Sequence, residues 1–118
     1  MSYDLAVWEG NRPTDNAAAA DMFADLYERY IEADVAHPPT PVIREFIADL
    51  LSHWPDLTVD NFETSPWTVS GMADSGRGPL AYFGMRSDMA GAPAAYAAEL
   101  AKAMDLVCYD PQTRKLRT

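Results

Sequence analysis

The sequence predicts an α+β domain built on a single antiparallel-rich sheet with helices on one face. Three observations carry that expectation. Short segments alternate apolar and polar residues with the period of a strand, longer ones place apolar residues at helical spacing, and the two kinds succeed one another as β-α-α-β-β-α-β. The 118 residues suffice for one core and leave too little for two, so residues 1–118 are expected to form one domain. Hydrophobic residues at 48% and charged ones at 23% exclude a disordered chain and a coiled coil.

The first strand is expected at residues 3–8, where Tyr3, Leu5 and Val7 alternate before the turn formers Gly10-Asn11-Arg12-Pro13. A helix follows from a Thr14 cap to about Asp34, with Phe23, Leu26, Tyr27, Tyr30 and Ile31 on its apolar face and Pro38-Pro39 as its stop. Thr40 and Pro41 open a second helix, since proline at the first helical position gives up an N–H that has no partner there. Its buried stripe should be Ile43, Phe46, Ile47, Leu50 and Trp54. Residues 56–65 read as an irregular connection anchored by Leu57, Val59 and Phe62.

Residues 67–73 and 80–86 read as two strands of a hairpin around Asp74-Ser75-Gly76-Arg77-Gly78. Pro93 opens an alanine-rich helix to about Asp105, with Tyr96, Leu100, Ala103 and Met104 facing the core. A last strand, residues 106–110, precedes a basic tail of Arg114, Lys115 and Arg117. This order matches the split βαβ pattern of ferredoxin-like folds with the first crossover doubled into two helices.

Chemistry-bearing motifs are absent. His37 and His53 lack neighbours at metal-ligand spacing, so no metal or other cofactor is expected, and both read as helix-end histidines. The glycines at 71, 76 and 78 fit no phosphate loop, and no serine stands in a nucleophile elbow. Cys108, the one cysteine, lies in an apolar run and reads as a buried thiol. An enzyme is not expected. Residues 1–10 show no secretory signal and no apolar stretch is long enough to span a bilayer, so a cytoplasmic location is expected. The net charge of −9 argues against nucleic acid and against an anionic membrane surface as partners.

That charge is unevenly laid out. Residues 1–63 hold 13 acidic and 3 basic side chains, a balance of −10, whereas residues 64–118 hold 5 and 6, a balance of +1. In the first helix Asp21, Asp25, Glu28 and Glu32 recur within one narrow stripe at ~100° per residue. Like charges so spaced disfavour an isolated helix by ~0.2–0.5 kcal/mol per pair, which Arg29 offsets only in part. Such a stripe can be a solvated, solubilising face. It can also be, together with Asp56, Asp60 and Glu63, one anionic surface that docks a basic protein. Trp54, Phe62 and Trp67 would be its aromatic anchors, or else core and rim packing.

The segments Ser2-Tyr3-Asp4-Leu5-Ala6-Val7-Trp8-Glu9, Tyr27-Glu28-Arg29-Tyr30, His53-Trp54-Pro55-Asp56-Leu57, Ser65-Pro66-Trp67 and Leu106-Val107-Cys108-Tyr109-Asp110-Pro111-Gln112 together resemble a family of short bacterial proteins. Some of its members resemble immunity proteins of polymorphic toxin systems. The resemblance runs over nearly the whole chain and carries no site residue with it. It implies a cytoplasmic protein that occludes a cognate, basic toxin domain stoichiometrically and needs no chemistry of its own. The alternative is a small-ligand or regulatory domain with its pocket between the sheet and the doubled crossover helices.

Overall fold

The computed structural model describes residues 2–33 and 35–117. Its elements are β1 (Ser2–Trp8), α1 (Asn16–Leu26) continued by a π segment (Tyr27–Glu32), α2 (Pro41–His53), β2 (Gly76–Arg77), β3 (Leu80–Arg86), α3 (Gly91–Ala103), β4 (Val107–Asp110) and β5 (Lys115–Leu116). The strands form one sheet in the order β2-β3-β1-β4-β5, with every pairing antiparallel. The fold is therefore α+β. The predicted end of the first helix, at Asp34, lies outside the described residues.

The central strand decides the architecture. Successive side chains of a strand point to opposite faces. In β1 Leu5 and Val7 join one buried cluster while Ala6 and Trp8 join another. A strand apolar on both sides needs cover on both. Ile43, Phe46, Ile47 and Leu50 of α2 and Ala94, Ala97, Ala98 and Ala101 of α3 cover the Leu5/Val7 face. Ala19, Phe23 and Leu26 of α1 cover the Ala6/Trp8 face, with Tyr30 and Ile31 of the π segment beside them. The expectation of helices on one face is thus corrected: the alternation of Tyr3, Leu5 and Val7 does not register that Ala6 and Trp8 are as buried as Leu5 and Val7.

Residues 67–73 do not form the predicted strand. Trp67 makes one isolated bridge to Met85, Gly71 takes a positive φ of 82°, and residues 72–74 form a turn of 3₁₀ helix. Burying the Trp67 indole, which donates from Nε1 to the Trp54 carbonyl at 2.8 Å, takes precedence over strand pairing. The hairpin partner of β3 is instead the two-residue β2, joined to it through Gly78-Pro79 with Gly78 at φ 54°. Gly76 must lack a side chain, because a Cβ there would stand 2.7 Å from the Pro39 Cβ.

Smaller departures have local causes. Asp15 rather than Thr14 caps α1, accepting the Ala18 amide at 2.8 Å. Ala103, expected in the core, is exposed, and α3 buries Pro93, Ala94, Ala97, Ala98 and Ala101. The basic tail is not free: β5 pairs with β4, and the Leu116 amide donates to Asn16 Oδ1 at 2.9 Å.

Candidate functional site

The four acidic residues of the predicted stripe are all exposed, but they do not act alike. Beyond Leu26 the backbone widens into the π segment, whose residues advance by less than the α-helical angle and so break the register of the stripe. Asp25 pairs with Arg29 at 3.3 Å. Asp21, Glu28 and Glu32 instead border an open groove of about 600 Å³ between α1, the π segment and the sheet. Among the described residues these three carboxylates make no ion pair.

Four aromatic residues, Phe23, Tyr27, Tyr82 and Tyr109, line the groove. Phe23 lies 5.5 Å from both Tyr82 and Tyr109 and 5.9 Å from Tyr27, between ring centroids, and Tyr27 meets Tyr82 edge-on at 5.6 Å. Tyr82 donates its hydroxyl to Asp4 Oδ2 at 3.3 Å. Burial, with the nearby Asp4 carboxylate, pushes the Tyr82 phenol up to about 12, so it stays neutral. Ala20, Ala24 and Pro111 complete the apolar lining, and Arg114 supplies the one cation of the groove among the described residues.

The other half of the predicted surface lies elsewhere. Trp54, Leu57 and Trp67 pack on the Leu5/Val7 side of the sheet, opposite α1, so the ten predicted residues do not form one contiguous patch. Trp67 is 1% exposed, beyond reach of a partner, and Trp54 is half-buried against Tyr96 at 5.4 Å. Asp56 works inward: its Oδ1 accepts the Leu57 and Met72 amides at 2.9 and 3.1 Å and holds the loop closed. Asp60 and Glu63 are exposed, as is Phe62 at 60%. Phe62 shares a shallow apolar cleft with Leu57, Val59, Thr58 and Ser70.

Reading the sequence missed Tyr82, Tyr109 and Arg114 as groove residues. The signal was parity along β3, where Leu80 and Tyr82 face α1 while Ala81, Phe83 and Met85 face the other cluster. For Arg114 no signal existed, because only the turn before β5 brings it to the groove.

The first and last of the segments that carried the resemblance have a structural task. Asp110, 4% exposed, accepts hydrogen bonds from the Tyr3 hydroxyl, the Gln112 amide and Nε2 at 2.9 and 2.6 Å, and the Thr113 amide at 3.2 Å. Burial alone would raise the Asp110 carboxyl, but these donors outweigh it and hold it below its ordinary value. Gln112 also brackets Asp4, accepting its amide at 2.6 Å and donating to its carbonyl at 2.7 Å. Tyr3, Asp4, Asp110 and Gln112 thus fasten the first strand to the last turn.

Cys108 is fully buried, and burial pushes its thiol up to about 12. No group of three or more His, Cys, Asp or Glu side chains suited to a metal ion occurs among the described residues. His53 stands 3.8 Å from Asp49, and His37 lies edge-on to Tyr30. No helix among the described residues is long and apolar enough to cross a membrane. Compared with protein-family models, curated proteins and solved structures, the chain matches none.

Proposed function

We propose that this chain is a binding protein of the immunity type, a cytoplasmic ferredoxin-like variant that seats a cognate basic toxin domain on its α1 face and blocks it by occlusion. One observation supports this above the rest: Asp21, Glu28 and Glu32 stand unpaired among the described residues on the border of an aromatic groove. Unpaired carboxylates next to the half-buried rings of Phe23, Tyr27 and Tyr82 offer a partner both long-range attraction and short-range contact area. The balance of −10 over residues 1–63 adds a field that draws in a cationic surface. Asp25, bound to Arg29, and Asp56, bound within its loop, drop out of the docking set.

The reading expects the gene directly upstream of this chain to encode a large secreted protein, and the test co-expresses the C-terminal domain of that product with this chain. Wild-type protein should relieve the growth arrest caused by that domain and associate with it at a rate that falls steeply with salt. The variant D21N/E28Q/E32Q should associate at least ten-fold more slowly at low ionic strength. Equal association rates for variant and wild type would remove the α1 face from the mechanism. Absence of both relief and binding would overturn the immunity reading.

A further inference from the structure

The groove has a composition more specific than negative charge. Its carboxylates, Asp21, Glu28 and Glu32, lie along α1 and the π segment, and its aromatic lining is the half-buried rings of Phe23, Tyr27 and Tyr82, packed with Tyr109, which is 2% exposed. A purely apolar occupant would strip water from the three carboxylates and return nothing to them. An anion would be repelled by them. A compact, strongly hydrated ammonium would satisfy the charge and leave the ring faces unused.

We infer that the groove between α1, the π segment and the sheet seats an arginine side chain of the basic partner, its guanidinium laid against the tyrosine rings and forked by the acidic rim. This rests on the reading of the α1 face as the docking surface and names the group that it holds. A planar guanidinium is weakly hydrated, stacks on aromatic faces and donates in pairs to carboxylates, which are the two kinds of surface the groove presents. At about 600 Å³ and open to solvent, the groove has room for a long side chain and part of its backbone. Arg114, at φ 57° in the turn before β5, lines the same groove and carries the one guanidinium there among the described residues. It therefore competes with an incoming one, which fixes the sign of its effect: removing it tightens binding.

The probe is the capped tripeptide Gly-Arg-Gly, titrated into the isotope-labelled full chain and followed by NMR, with Gly-Lys-Gly and the uncharged Gly-citrulline-Gly as comparisons. The arginine peptide should shift the Tyr27 and Tyr82 ring signals and bind several-fold more tightly than the lysine peptide, while the citrulline peptide should bind at least ten-fold more weakly than arginine. D21N/E28Q/E32Q should weaken the arginine peptide at least ten-fold, and Tyr27→Leu, which leaves all charges in place, several-fold. Arg114→Gln should strengthen it about two-fold or more. Equal responses to arginine and lysine, or shifts spread over all acidic residues and indifferent to Tyr27→Leu, would overturn the seat. Should the toxin domain bind through the carboxylates while the arginine peptide does not, the seat fails and the docking face stands. Should the peptide bind while no toxin domain does, the docking face fails and the seat stands.

Discussion

Replacing Asp110 by alanine removes the acceptor at which Tyr3, Gln112 and Thr113 converge. Gln112 and Thr113 are exposed, so water can take over some of the freed donors. The Tyr3 hydroxyl and one donor of Gln112 lose the anionic acceptor of their part-buried hydrogen bonds. At ~1.5 kcal/mol net for each hydrogen bond to a charged group, the loss is about 3 kcal/mol. Unfolding entropy near ~2.1 cal/mol/K per residue turns that into a fall in Tm of about 12 °C for a chain of 118 residues. Thermal melts followed by circular dichroism at pH 7 measure it.

The pH dependence supplies a second readout of the same residue. The folded-state Asp110 carboxyl lies below its ordinary value of ~3.9. Its ionisation therefore stabilises the fold above that value, and the contribution fades as pH falls from there through the lower folded value. The gap in stability between wild type and D110N should shrink over that window. A Tm loss under about 4 °C for D110A, or a gap independent of pH, would refute the account of Asp110 as a buried anionic anchor.

Three further outcomes follow from packing and burial. Gly76→Ala forces a Cβ to 2.7 Å from the Pro39 Cβ and 3.1 Å from Ile43 Cγ2, and should destabilise the fold by ~1–3 kcal/mol in urea titrations. Cys108 should resist a thiol-specific reagent in the native protein and react only on unfolding, because its thiol is fully buried and pushed up to about 12. D21N/E28Q/E32Q should keep stability within ~0.5 kcal/mol of wild type or raise it slightly, since like-charge repulsion along the helix is relieved. A marked loss of Tm would show that these carboxylates have structural partners.

How much was legible depended on the range of the forces involved. Helix α2 could be read from its sequence, because Pro41 sets its first turn and Ile43, Phe46, Ile47 and Leu50 repeat at helical spacing. Strands β1, β3 and β4 were legible for the same local reason. Residues 67–73 were misread because the fate of Trp67 is decided by Trp54, thirteen residues away, and alternation within a segment does not register such a partner.

The sequence by itself determined the α+β class, the lopsided charge and the acidic character of the first helix. Only the tertiary structure decided which carboxylates share a surface. The apolar residues of β1 on both of its faces draw α1 to one side and α2 to the other, and Trp54, Leu57 and Trp67, which flank Asp60 and Glu63 in sequence, pack on the side away from Asp21, Glu28 and Glu32. Spacing along a chain fixes angles around one helix. It says nothing of which strand lies beneath that helix, so Tyr82 and Tyr109 could meet Phe23 only once the sheet had closed over its core.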